Sequence, residues 1–147
     1  MAMAMAMDIL LVEDNPADVR LVREALAEGG VQAALHWAAT GEAALDFLHR
    51  RGSHAGERTP DLVMLDLNLP GLHGHEVLAE IKRDPALLSI PVVVLTSSAA
   101  RGDVLAAYGA HANAYVVKPD DYEQFLAMVG TIRSYWLSSV LLPSRVA

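Results

Sequence analysis

The chain has 147 residues, of which 53% are hydrophobic and 20% charged, with a formal net charge of −7 and no cysteine. That length fits one domain with an ordinary buried core. The missing thiols exclude disulfides, thiolate nucleophiles and cysteine-bound zinc, and an acidic chain without a basic patch is not expected to bind nucleic acid. A cytoplasmic address suits the absence of cysteine. Residues 1–7, which alternate Met and Ala, have no basic leader and are too short for a signal peptide's apolar core; they read as a disordered leader. No run of about 18 apolar residues is present to span a membrane.

In chain order, Ile9–Val12 is a continuous apolar run ending in Glu13-Asp14. Asn15-Pro16 then predicts a helix start, with Val19, Val22, Ala25 and Leu26 on one face and Gly29-Gly30 as its stop. Ala34–Ala38 is a weaker strand, and Thr40 caps a helix to about Arg50 with Ala44, Leu45 and Leu48 inward. Arg51–Pro60 reads as a loop, followed by the buried strand Leu62–Leu65, which ends in Asp66. A Pro70-Gly71 turn leads to a helix over Gly74–Arg83 with Val77, Leu78 and Ile81 inside. Val92–Leu95 is a strand ending in Thr96, and a short helix covers Asp103–Tyr108. Ala114–Val117 is the fifth strand, ending in Lys118-Pro119, and the last helix runs from about Asp121 to Ser138. Apolar strands alternating with amphipathic helices specify an α/β fold with a parallel sheet covered on both faces.

In such a sheet the carboxyl ends of the strands share one edge, where ligands bind. Glu13, Asp14, Asp66, Thr96 and Lys118 all fall there. Clustered carboxylates need a cation, and few hard oxygen ligands suit Mg²⁺, with Mn²⁺ as a substitute. A carboxylate beside such an ion can act as a nucleophile and form an aspartyl phosphate, with Lys118 and Thr96 contacting the phosphoryl oxygens.

The motifs Leu11-Val12-Glu13-Asp14-Asn15, Leu65-Asp66-Leu67-Asn68-Leu69-Pro70-Gly71, Val94-Leu95-Thr96-Ser97-Ser98 and Tyr115-Val116-Val117-Lys118-Pro119 resemble those of bacterial two-component response-regulator receiver domains, over residues 8–138. The resemblance implies a doubly wound, flavodoxin-like five-stranded sheet in the order 2-1-3-4-5. It implies Asp66 as phosphoacceptor for a sensor histidine kinase. Mg²⁺ would be held by Asp14, Asp66 and the Asn68 backbone carbonyl, with Glu13 acting through a water. Thr96 and Lys118 would bind the phosphoryl group, Tyr115 would be the switch aromatic, and the Lys118-Pro119 bond would be cis. The long loop Arg51–Pro60 and the run Val12–Asp18 resemble the small regulators paired with bacterial and cyanobacterial phytochrome kinases.

The competing classes are weaker. A phosphatase resembling haloacid dehalogenases wants a second Asp where Asn68 stands, and a degenerate receiver would usually have lost one of the residues named above. The expected protein is therefore not an enzyme on external substrates; it promotes only its own phosphotransfer and dephosphorylation. His73-Gly74-His75 could suggest a metal, but without a third ligand in sequence it reads better as a surface turn. Residues 139–147 read as a C-terminal extension. The apolar segment around Tyr135, Trp136 and Leu141 exceeds what one helix can hide, which makes these residues candidate anchors of a homodimer.

Overall fold

Strands that are apolar at every position need cover on both faces, and the computed structural model, which describes residues 7–28 and 32–146, provides it. The strands are β1 (Met7–Val12), β2 (Ala33–Ala38), β3 (Leu62–Leu65), β4 (Val92–Thr96) and β5 (Ala114–Val117). They pair in parallel in the order β2-β1-β3-β4-β5. The helices are α1 (Pro16–Ala27), α2 (Gly41–Leu48), α3 (Gly74–Arg83), α4 (Arg101–Gly109) and α5 (Tyr122–Ile132). This is the doubly wound receiver topology expected from the motifs.

Side chains alternate across the sheet with period two, so each strand feeds two cores. Ile9, Leu11, Leu62, Met64, Val93 and Leu95 pack with Val19, Val22 and Leu26 of α1 and Phe125, Val129 and Ile132 of α5. Leu10, Val12, Val63, Leu65, Val92 and Val94 pack on the other side with Ala44, Phe47 and Leu48 of α2 and Val77, Leu78 and Ile81 of α3. Phe47, absent from the predicted inner face of α2, is buried, while Leu45 is only half-buried.

Helix starts with a side-chain cap fall where the sequence reading puts them, and two bounds that differ, the end of α2 and the start of α4, have none. The Asn15 side chain accepts the Ala17 N–H, and Thr40 accepts that of Ala43. α2 ends at Leu48, and the long loop contains a 3-10 turn over Gly52–His54. α4 is longer than predicted by two residues at its start and one at its end. The Gly29-Gly30 stop and residues 1–6 of the leader lie outside the described residues.

Past α5 the chain continues as a π-helix over Arg133–Ser139 and a 3-10 turn over Pro143–Arg145. Tyr122–Arg145 is long and apolar enough to cross a membrane by length and composition. Here its residues Phe125, Val129, Ile132, Leu137 and Leu142 are instead buried within the domain. The tail returns to the amino edge of the sheet, where Asp61 precedes β3. Ser144 donates to Asp61 Oδ1, the Arg145 guanidinium lies 2.8 Å from Oδ2, and the Asp8 N–H donates to Oδ2 at 2.7 Å.

Asp61 is buried, which favours its neutral form. The hydrogen bonds from Ser144 and the Asp8 N–H and the charge of Arg145 outweigh burial and hold the carboxyl below its usual range. Such a group stabilises the fold fully above its unfolded value of about 3.9, and that contribution is lost as pH falls toward the depressed folded value. Arg145→Ala should therefore cost about 1–3 kcal/mol near neutral pH. In urea titrations the gap from wild type should close as the pH is lowered below about 4. A gap that stays constant with pH would show that the clasp is not ionic.

Candidate functional site

Reversal of strand order between β1 and β3 opens a crevice at the carboxyl edge of the sheet. β1 delivers Glu13 and Asp14 to it, and α1 begins at once behind them. The Glu13 carboxylate accepts the Asn15 N–H at 3.1 Å, and the Trp37 indole N–H donates to the Glu13 carbonyl at 2.6 Å. β3 delivers Asp66, whose Oδ1 accepts the Asn68 N–H at 3.1 Å. The loop after it folds back closely. A Cβ on Gly74 would sit 2.4 Å from the Asp66 carbonyl oxygen, so only glycine allows α3 to start there.

β4 and β5 complete the crevice. Thr96 is fully buried, its carbonyl accepts the Lys118 N–H at 2.8 Å, and its hydroxyl accepts from the Asn68 side-chain amide at 3.4 Å. The Lys118 ammonium lies 2.5 Å from Glu13 Oε2, 2.9 Å from Asp18 Oδ2 and 3.0 Å from Asp66 Oδ2. Burial alone would lower the lysine's pKa, but these partners outweigh it and raise the pKa, so Lys118 stays charged. Burial likewise favours protonation of Asp66, yet the Asn68 N–H, Lys118 and the Thr96 hydroxyl together hold its pKa below the usual carboxylate value. For Glu13 burial wins: it pushes the carboxyl up to about 7 against the pull of Lys118, with the charge of Asp66 adding to the rise.

Carboxylate oxygens of Glu13, Asp14 and Asp66 lie within 4.8 Å of one another, with Glu13 and Asp66 buried and Asp14 exposed. With Asp18 nearby, the acids outnumber the single ammonium. The donors are hard oxygens and Asp14 leaves one side open to water. That set fits a divalent cation of the Mg²⁺ or Mn²⁺ kind, which keeps water ligands.

Sequence reasoning missed Asp18, one turn into α1, and Trp37 on the edge strand β2. Only their spacing from the Glu13-Asp14 pair and its strand could have pointed to them. Tyr115 is half-buried, and its hydroxyl donates to the Ser98 carbonyl at 2.8 Å. Ser98 donates in turn to Asp103, which pairs with His75 at 3.2 Å. His73 caps α3 and stacks on His75, so the two histidines build the helix start. One expectation fails: there is no cis peptide bond among the described residues, so Lys118-Pro119 is trans. Trans is the form an X–Pro amide prefers by about 0.5–1 kcal/mol unless its surroundings select the other. Far from the crevice, Tyr135 and Leu141 are exposed, whereas Trp136 packs against the α1/α5 core with Tyr135 edge-on to it.

The response regulator receiver domain family matches residues 9–130. The response regulator Rcp1 of Synechocystis sp. is 46% identical over 136 residues, which is 92% of each chain. The solved structure of the phosphorylated cyanobacterial phytochrome response regulator RcpA is similar with a TM-score of 0.92 and 44% identity, over 95% of this chain and 99% of that one. The Mn(2+)-bound form of Rcp1 gives a TM-score of 0.90 at 46% identity, over 93% and 99% of the two chains. Since the family match spans most of the sequence and the relatives align along nearly their whole length, the chain belongs to the response regulator receiver domain family.

Proposed function

We propose that the protein accepts a phosphoryl group on Asp66 from the phosphohistidine of a phytochrome-type sensor kinase, in the cytoplasm, and signals through contacts of its own surface. The observation that carries this reading is the setting of Asp66. It is a buried carboxylate kept ionised, 3.0 Å from the Lys118 ammonium and grouped with two further acids suited to a divalent cation. The likeness to a cyanobacterial phytochrome response regulator supports the choice of kinase.

In this reading an Asp66 oxygen attacks phosphorus as the P–N bond to the kinase imidazole breaks, and the bonding pair leaves with the imidazole. Lys118 turns from the carboxylates to a phosphoryl oxygen, and the Thr96 hydroxyl donates to another. Asp14, Asp66 and the Asn68 carbonyl, with Glu13 acting through a water, would hold a Mg²⁺ ion, which when bound would supply positive charge to the phosphoryl oxygens. Movement of Thr96 would reach Tyr115 through the Ser98 carbonyl that its hydroxyl already holds.

With Mg²⁺ and acetyl phosphate, intact mass should show one phosphoryl group on the wild type and none on Asp66→Asn. Labelling that survives the substitution would move the acceptor elsewhere. Asp14→Ala should weaken Mg²⁺ binding by about tenfold or more, read by titration, because it removes a ligand rather than a supporting group. Unchanged affinity would contradict the metal assignment.

The same reading includes a homodimer. Tyr135 is 54% and Leu141 75% exposed, on a segment whose neighbours Leu137 and Leu142 are buried and hold it in place. Trp136 supports Tyr135 from beneath. Leu141→Asp should turn a dimer at about 100 μM into a monomer by light scattering, since one buried charge opposes association. A wild type already monomeric at that concentration would remove the dimer.

A further inference from the structure

Lys118 holds one carboxylate more than phosphoryl transfer requires. Its three N–H donors go to Glu13, Asp18 and Asp66, at 2.5, 2.9 and 3.0 Å. Glu13 and Asp66 belong to the group of oxygens suited to a cation, and Asp18 does not. A cation among Glu13, Asp14 and Asp66 thus offsets two of the three claims on the ammonium and leaves the third intact. Asp18 is itself well placed to keep that claim. It is fixed in the first turn of α1, behind the Asn15 cap, and its side chain is only 21% exposed. A phosphoryl oxygen on Asp66 must therefore draw Lys118 away from a nearby, unneutralised carboxylate.

We propose that Asp18 is a positioning residue that holds the Lys118 ammonium toward α1 and so weakens its hold on a phosphoryl group at Asp66. The inference rests on the reading of Asp66 as the phosphoacceptor. Asp18 acts through its charge. An amide of the same shape would still accept a hydrogen bond from Lys118 but would compete far less well for it.

The alternative is a helix-start acid that merely favours the α1 dipole. Such a residue has no particular hold on Lys118, so replacing it would change anion binding no more than the loss of another nearby acid.

The test is calorimetric titration of beryllofluoride into the full-length protein at saturating Mg²⁺. Asp18→Asn should bind roughly three- to tenfold more tightly than wild type, the scale of one partly screened charge pair. Asp18→Glu, which keeps the charge, should stay within about twofold of wild type. Asp120→Asn removes an exposed acid two residues from Lys118, and it too should stay within about twofold. Unchanged or weaker binding by Asp18→Asn would overturn the proposal. So would an equal gain in Asp120→Asn, because any nearby charge would then serve, or an equal gain in Asp18→Glu, because shape and not charge would then be at work. A wild type that binds no beryllofluoride would overturn the reading of Asp66, and this inference with it.

Discussion

One ammonium group makes the crevice tenable. Lys118 comes from the end of β5 and reaches acids placed by β1, α1 and β3, so it ties together elements as much as 105 residues apart. Two like charges about 4 Å apart repel by about 4 kcal/mol at an effective dielectric of about 20. That is a large share of the roughly 5–15 kcal/mol that stabilises a whole domain. The acids can be gathered only because Lys118 sits among them. They still exceed its charge, which leaves the site attractive to a second cation. Burial pushes the Glu13 carboxyl up to about 7 against the pull of Lys118, and the charge of Asp66 adds to the rise.

The opposite edge of the sheet shows what full compensation looks like. Asp61 is as buried as Asp66, but Ser144, Arg145 and the Asp8 N–H satisfy both of its oxygens. The carboxylate serves to fasten the tail. The two edges differ in how their charge is met rather than in how deeply it is buried. At the amino edge a closed ion pair gives a structural clasp; at the carboxyl edge an under-neutralised group of acids suits a cation.

Much of this was legible in the sequence. Strands apolar at every position required a sheet with two covered faces, and the acids, threonine and lysine at strand ends had to meet at one edge. The expected α3, Gly74–Arg83, and the order of strands agree with the structure. What escaped were contacts made by residues whose local pattern has another sufficient explanation. Asp18 looks like an ordinary first-turn acid and Trp37 like an edge-strand aromatic. Asp61 and Arg145 lie 84 residues apart, and neither stands in a motif. The tail, residues 139–147, was read only as an extension, yet its buried Leu142 and the contacts of Ser144 and Arg145 with Asp61 bring it back to the amino edge of the sheet.

The crevice is joined to the outer surface by bonds as short as those within it. Thr96 is tied to β5 through the Lys118 N–H, and two residues later the Ser98 carbonyl takes the Tyr115 hydroxyl. Ser98 is fastened through Asp103 to His75 on α3, and the Tyr115 N–H is fastened to the Tyr108 hydroxyl on α4. The β4–α4 loop is therefore held at several points to neighbours on both sides, while Thr96 itself is packed with no exposed surface. A loop so held has little freedom for small independent adjustments. A close-packed segment with alternative hydrogen bonds tends to change between discrete arrangements rather than deform by degrees. In the proposed function, a phosphoryl group on Asp66 would need only to favour one of them.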